Sequence, residues 1–565
     1  MNQLKVNQKT IEICLLFLAI ILVSLLVTKP LWNNHTGFPV LLEEPDAYYY
    51  YSVLTQTVLH STLLHLHITT QYANGFNLGA SGFPEHPGLI AFPFYLYEFL
   101  HFIGIDISAL YSEYLLEYIF AILSVLFTYW LVKLYTHDWK YALFAILLLS
   151  LSLAFYFKAI IIEIKGETFI LPMMLLLNIV FYKMITLKHS KTNDGNYIWR
   201  TKEIFKLISY IFLLILISAL SAVYWSGGVV VSATLIFLFI TYSIYLWKDN
   251  KLYILFLIAL LITVSLLSSG YLIDHYFSSI YTISIELSEV QPLFSQGLLY
   301  PIEFFGILFF TAIIYLIYMF AKIKINKFRN QERELLFITM ASVYTITLIV
   351  VMIAIRFSNL LMPYLAIFSV LLLFELYNNK IINKKNMLIF AFAMLFISFI
   401  VFAKVVLTYP PADHLTPAYY NALMWIKNNT PSNAIIFTLF QDGSVVSALD
   451  NMSVVSTSVQ GMGTLFLQTP KYYMSSPKSL YAENFTSYII NESKLAGKPL
   501  YILTRFYYVN LTVSFRRMSG IPYSINASDN NTILQSMLNK SFTKDYPCFK
   551  LVFNNSDSVI YKYSC

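Results

Sequence analysis

The chain has 565 residues, 58% of them hydrophobic and only 12% charged, with a mean hydropathy of +0.65. Ordinary soluble domains carry about 25% charged residues, so the composition excludes a soluble globular protein and puts most of the chain in lipid. The net charge of +7 is not a nucleic-acid signal, because it is spread over separate segments and its distribution says more than its sum.

In chain order, Lys5 and Lys9 precede an apolar run near 11–28 that contains Cys14. No small-residue cleavage site follows it, so a retained first helix is expected. Further spans, each of about 18–22 residues, are expected near 112–136, 141–158, 168–187, 204–221, 229–246, 252–272, 302–321, 335–354, 358–377 and 387–407. The stretch 88–103 is apolar but short and aromatic, and is expected as a re-entrant or interfacial helix.

Lys/Arg bias orients these spans. Basic residues gather in alternate connections: Lys133 and Lys140; Lys188, Lys191, Arg200 and Lys202; Lys248 and Lys251; Lys322, Lys324, Lys327, Arg329 and Arg333; Lys380, Lys384 and Lys385. The segments 30–111 and 274–300 contain no Lys or Arg but several acids, which makes them the external loops. An odd span count then places everything from about residue 409 outside. Asn-X-Ser/Thr sequons agree with this orientation. Of ten, one begins at Asn34 and nine at Asn428, Asn451, Asn484, Asn491, Asn510, Asn526, Asn530, Asn539 and Asn554. Their one-sidedness points to a surface that is itself glycosylated.

Residues 409–565 have the size of one domain. A helix-like stretch at 419–427 precedes strand-like runs at 434–440, 499–504, 549–553 and 558–563, the last two flanking a hairpin turn at 554–557. An α/β domain is expected. Cys548 and Cys565 either form one disulfide in an oxidising exterior or remain two thiols.

Four loop segments carry candidate chemistry. Glu43-Glu44-Pro45-Asp46 is followed by tyrosines and has no basic residue in its loop, which suits Mg²⁺ or Mn²⁺. Glu163 and Glu167 are four apart and would share a helix face, with Lys165 between them. Glu286 and Glu289 lie in the second base-free loop, and Arg356-Phe357 stands at the outer mouth of a late span, where an arginine suits an anion such as a diphosphate. Read singly, these are also a solvated loop start, a salt-bridged helix end, a polar loop and a snorkelling arginine. Together, three acidic clusters and an arginine on one side of the membrane suit metal-assisted transfer from a lipid-linked diphosphate.

The same segments resemble the catalytic subunit of oligosaccharyltransferase, the GT-C glycosyltransferases of archaeal AglB and bacterial PglB type. Glu44-Pro45-Asp46 resembles the family's first acidic motif, and Ser288-Glu289-Val290-Gln291-Pro292 its external-loop Ser-Val-Ser-Glu segment with a following Gln-Pro. Arg356-Phe357 resembles its late Arg-Phe pair, and Trp425…Asn429-Thr430-Pro431 its Trp…Asn-Thr-Pro lead-in. Met518, Ile521 and Ile525 fit its MxxIxxx(I/V/W) signature. Two segments depart from the pattern. Where the family reads Trp-Trp-Asp-Tyr-Gly, this chain has Leu439-Phe440-Gln441-Asp442-Gly443, in register and without a gap. Where it reads Asp-x-Glu or Asp-x-Asp, this chain has Lys165-Gly166-Glu167.

The resemblance implies a polytopic α-helical membrane protein: a GT-C bundle of about 11–13 spans over 1–408, with an extracytoplasmic α/β domain over 409–565. It implies transfer of a glycan en bloc from a polyprenyl (dolichyl) phosphate or diphosphate to Asn of Asn-X-Ser/Thr. Asp46 and Glu289 would be catalytic, and Asp46, Glu167 and Glu163 would hold Mn²⁺ or Mg²⁺. Arg356 would meet the donor diphosphate, and Glu289, Leu439, Phe440, Gln441, Asp442, Met518 and Ile521 would bind the acceptor. The expected partners are a lipid-linked oligosaccharide, a sequon-bearing protein or peptide and membrane lipid, with no nucleic acid, for a single-subunit enzyme. The alternatives are a GT-C paralogue of different acceptor specificity and a non-catalytic membrane scaffold. A transporter would carry its ionisable groups in broken helices with internal repeats, whereas here no repeat is found and the acids lie in loops.

Overall fold

The computed structural model describes residues 8–32, 50–51, 54–55, 57–58, 88–159, 166–187, 190–191, 197–198, 201–224, 228–246, 305–324, 331–353, 357–408, 416–439, 442–443, 445–446, 453–454, 469, 471–495, 497–511 and 532–565. They fall into two compact units, one comprising Met1–Pro30, Leu115–Ile161 and Lys165–Pro410, the other Leu31–Tyr114, Ile162–Ile164 and Pro411–Cys565.

The helices follow the apolar runs, because a backbone in lipid must satisfy its own N–H and C=O groups. In chain order they are α1 (Gln8–Trp32), α2 (Gly88–Phe102), α3 (Ala109–Thr136), α4 (Trp139–Ser150), α5 (Leu153–Ala159), α6 (Gly166–Ile185), α7 (Thr201–Tyr224), α8 (Val229–Leu246), α9 (Ile307–Lys324), α10 (Gln331–Ile353), α11 (Ser358–Asn378) and α12 (Lys384–Thr408). A two-residue pairing of β1 (Ser190–Lys191) with β2 (Tyr197–Ile198) separates α6 from α7. Among the described residues seven helices are long and apolar enough to cross a membrane, and three shorter apolar helices accompany them. The span expected at 252–272 lies outside the described residues.

One expected span differs. The run 141–158 is two helices, α4 and α5, because Ser152 stops the first and caps the second. Its hydroxyl accepts from the Phe155 N–H at 3.4 Å, while its own N–H turns back to the Leu149 carbonyl at 3.0 Å. The stretch expected as re-entrant or interfacial forms the helix α2, with Pro93 inside it.

The bundle is built around α11, which is buried without interruption from Ser358 to Glu375 and packs on α4, α5, α6, α9, α10 and α12. A helix apolar on all sides belongs at such a centre. By contrast α12 turns Phe390, Phe392, Phe396 and Phe399 outward, the surface of a helix solvated by acyl chains. Two glutamates within the helices meet lysines of neighbouring helices, as low dielectric favours. Glu12 of α1 meets Lys133 and Tyr129 of α3. Glu375 of α11 accepts from Lys322 of α9 at 2.7 Å and from Tyr135 of α3 at 3.0 Å.

In the second unit, α13 (Pro417–Asn429) starts at the N-cap Thr416, whose hydroxyl accepts from the Tyr419 N–H, with Pro417 at the first helical position. There follow β3 (Ile435–Phe437), β4 (Ser453–Val454), α14 (Leu480–Leu495), β5 (Leu500–Arg505) with a 3₁₀ turn at Phe506–Leu511, α15 (Ile533–Leu538), α16 (Phe542–Asp545), β6 (Phe549–Asn554) and β7 (Ser558–Tyr563). The sheet order is β4-β3-β5-β7-β6, with β3 parallel to β4 and β5, and β7 antiparallel to β5 and β6. β3 and β5 are buried along their whole length, as central strands covered on both faces are. The strand expected at 434–440 stops at Phe437. The core is aromatic: Phe437 packs on Tyr472, Tyr473 and Phe485 at ring separations of 5.5, 5.9 and 6.1 Å. Cys548 and Cys565 are joined in a disulfide that ties the start of the β6–β7 hairpin to the end of the chain.

Candidate functional site

Of the candidate residues, Glu167, Leu439 and Asp442 are described; Asp46, Glu163, Glu289, Arg356, Phe440, Gln441, Met518 and Ile521 lie outside the described residues. Each described residue has a definite environment.

Glu167 sits in the first turn of α6 and is 1% exposed. A carboxylate so deep costs several kcal/mol unless a cation or donors meet its charge. The positive end of the α6 dipole meets part of it. The neighbouring α11 begins beside this turn: the Asn359 side-chain amide donates to the Glu167 main-chain carbonyl at 3.3 Å. Phe357, Ser358 and Asn359, the residues immediately after Arg356, are all buried. The fold therefore joins the turn carrying Glu167 to the helix end that follows Arg356. Further along the same pair of helices, Asn178 donates to the Tyr364 hydroxyl at 3.4 Å. Glu167 is a hard oxygen donor and fits a divalent cation as one ligand. Among the described residues no group of three or more His, Cys, Asp or Glu side chains is placed to hold a metal.

Leu439 is fully buried in the hydrophobic core of the second unit. After it the chain turns, the Gly443 N–H donating to the Leu439 carbonyl at 2.8 Å. This turn ends the strand early and carries Asp442 inward to 4% exposure. One carboxylate oxygen of Asp442 accepts from Arg505 Nη1 at 3.1 Å and the other from the Tyr508 hydroxyl. Arg505, itself 3% exposed, also makes a two-point bridge to Asp557, Nε to Oδ2 at 2.9 Å and Nη2 to Oδ1 at 3.3 Å. Its guanidinium lies 3.7 Å from the centroid of the Tyr419 ring. Burial works against the arginine's charge, but Asp442, Tyr419 and Asp557 outweigh it and hold its pKa above the ordinary value. Burial, and then the charge of Asp442, push the Tyr508 phenol up as well. Asp442 is thus bolted to β5, the following 3₁₀ turn and the β6–β7 hairpin.

Sequence reasoning passed over Asn359, Arg505, Tyr508 and Asp557. It also passed over Glu113 and Glu117, which are buried one helical turn apart on α3. A signal existed for the two glutamates, since acids four apart in an apolar helix share a face. An asparagine three residues after Arg356 was also visible. Nothing in the sequence pairs Arg505 with Asp442.

No protein-family model matches the sequence, and a comparison with curated proteins finds no match. Solved structures do match. Archaeal oligosaccharyltransferase AglB from Archaeoglobus fulgidus, in complex with an inhibitory peptide and a dolichol-phosphate, aligns over 91% of this chain and 72% of its own, with a TM-score of 0.65 and 13% identity. The Archaeoglobus fulgidus oligosaccharyltransferase tethered to an acceptor peptide containing the NVT sequon aligns over 91% and 71%, with a TM-score of 0.67 and 13% identity. The chain has the GT-C fold. ArnT from Cupriavidus metallidurans, bound to undecaprenyl phosphate, extends the likeness over 99% of both chains, with a TM-score of 0.52 and 9% identity. The GT-C fold makes this a multi-pass membrane protein, in agreement with its apolar helices. The ordered motifs of the loops and the likeness in fold lead to the same group of proteins.

Proposed function

We propose that this GT-C protein is an oligosaccharyltransferase, moving a glycan en bloc from a polyprenyl phosphate or diphosphate to the side-chain amide of Asn in Asn-X-Ser/Thr. The observation that carries the reading is the likeness to the archaeal oligosaccharyltransferase over 91% of the chain, coupled to loop motifs in the same order along the sequence. The active site and the C-terminal unit are extracytoplasmic in this reading.

An amide nitrogen is a poor nucleophile because its lone pair is shared with the carbonyl. Asp46 and Glu289 would accept its N–H groups and loosen that conjugation. Arg356 would balance charge developing on the departing phosphate. Glu167, with Asp46 and Glu163, would hold a divalent cation; when bound, the cation supplies further positive charge to that phosphate. Asn359 would keep the Glu167 turn against the start of α11. Leu439 and Asp442, both engaged inside the second unit, would act on the acceptor indirectly, through their chain neighbours Phe440 and Gln441.

A second reading, a GT-C enzyme of different acceptor specificity, is favoured by the replacement of Trp-Trp-Asp with Leu439-Phe440-Gln441 and by the likeness to ArnT. The two are separated by a membrane assay with a labelled lipid-linked glycan and a sequon peptide. Transfer to the peptide that disappears in Asp46→Ala and Glu289→Ala supports the first. Full transfer by both variants defeats the catalytic assignment, and a wild-type enzyme that uses its donor without glycosylating the peptide selects the second.

A further inference from the structure

The sequon asparagines whose side-chain exposure is described are Asn428, Asn484, Asn491, Asn539 and Asn554, and all of these are exposed. An enzyme that reads Asn-X-Ser/Thr must reach both the amide and the hydroxyl two residues on. In extended chain these side chains lie on one side. In a helix they lie about 200° apart.

On α14 the two halves of each sequon are separated. Asn484 is exposed, but Thr486 is buried with its hydroxyl 3.0 Å from that of Tyr472, and Phe485 between them is in the core. Asn491 is exposed, but Ser493 is buried and donates to the Lys498 carbonyl at 2.5 Å. The hairpin turn after β6 differs. There Asn554 and Ser556 are both exposed. Asn555 holds the turn from within: its side-chain oxygen accepts from the N–H groups of Asp557 at 2.9 Å and Ser558 at 2.8 Å, and its amide donates to the Ala418 carbonyl at 2.6 Å.

We infer that Asn484, Asn491 and Asn554 are N-glycosylation sites of this chain, the first two modified before α14 folds and the third still readable in the folded unit. Asn484 and Asn491 are seven residues, two helical turns, apart, which puts their glycans on one outward face separated by about 10 Å along the axis. Because that face is exposed, the helix can form with both glycans attached. In each case the asparagine amide nitrogen bonds to the glycan's anomeric carbon. The bond from that carbon to the carrier phosphate oxygen breaks, the phosphate leaves with the electron pair, and the amide gives one proton to a base. The donor is a polyprenyl-phosphate-linked glycan. The inference rests on the extracytoplasmic placement of the C-terminal unit, not on this chain being the enzyme that modifies it.

The test uses the full chain in its own membranes. Cells are depleted of lipid-linked glycan while the protein accumulates, translation is blocked, the donor is restored, and site-resolved mass spectrometry compares these chains with chains made in the presence of donor. Chains made with donor should carry glycan at all three sites. Pre-folded chains should gain it at Asn554 and at least about tenfold less at Asn484 and Asn491, the factor imposed by each 1.4 kcal/mol needed to open the helix. Equal gain at Asn484 and Asn554 on pre-folded chains overturns the order of modification. Asn-linked glycan on other proteins of the same membranes, with none at these three sites, overturns the sites and leaves the enzymatic reading intact. Absence of such glycan throughout overturns both.

Discussion

Asn359 and Glu167 are 192 residues apart in sequence, and the side-chain amide of one donates to the main-chain carbonyl of the other at 3.3 Å. This hydrogen bond pins the start of α11 to the first turn of α6. Asn359→Leu keeps the volume similar and removes the donor. The expected loss of bundle stability is about 1 kcal/mol, the net worth of one hydrogen bond. It should appear as a lower thermal midpoint in detergent. If Glu167 is positioned by this bond, glycosyl transfer should fall further than stability does, through kcat rather than the KM for peptide. An unchanged kcat would confine Asn359 to packing.

Arg505 serves two carboxylates at once, Asp442 and Asp557, in a buried setting. Arg505→Ala leaves both acids without that guanidinium, and breaking such a buried network costs about 3–5 kcal/mol. Arg505→Lys should recover little, because an ammonium cannot reproduce the planar fork that reaches both partners. Limited proteolysis of the second unit against urea concentration measures this. Full rescue by lysine would show that charge alone matters.

Alkaline pH should weaken the second unit. Burial, followed by the charge of Asp442, raises the Tyr508 phenol well above its ordinary value, and burial pushes the Tyr561 phenol up to about 12 from 10.0. A phenol with a raised folded value binds its proton more tightly in the folded state. Its stabilisation is therefore complete below pH 10 and is lost as the pH climbs through the folded value, between 10 and about 12 for Tyr561. Circular dichroism against pH should show unfolding beginning above pH 10. Tyr561→Phe, which also loses the 2.6 Å bond to the Met537 carbonyl, should be less stable at neutral pH and fall less steeply with rising pH. Parallel curves for the two proteins would refute the linkage.

Reduction of the Cys548–Cys565 disulfide, which closes a loop over a sequence separation of 17, should cost about 3 kcal/mol through the freed unfolded chain. Cys548→Ser/Cys565→Ser should match the reduced wild type, and reducing agent should leave the double variant unchanged. A midpoint indifferent to reductant would contradict this.

Much of the architecture was legible because lipid imposes a length and an apolarity on each span that few other constraints produce. The ends of α3, α6, α10, α11 and α12 fall within a few residues of the runs read from composition. The β6–β7 hairpin was equally legible, since Asn554–Asp557 is turn chemistry between two alternating runs. The break between α4 and α5 was not, because a serine ends a helix only where its hydroxyl finds a backbone N–H, here that of Phe155. The site divides in the same way. The order of its acidic and basic segments could be read along the chain, whereas the inward turn of Asp442 could not.

The sequence by itself determined a membrane bundle with a C-terminal α/β unit, through hydropathy, charge bias and turn residues, all of which act over a few neighbouring positions. Only the tertiary structure decided that Asn359 holds the Glu167 turn and that Arg505 claims Asp442. It alone also decided which sequon hydroxyls are buried beneath exposed asparagines. Those outcomes depend on groups far apart in the chain meeting in a low-dielectric interior, where an unmet polar atom is costly and the fold is selected by which partner meets it.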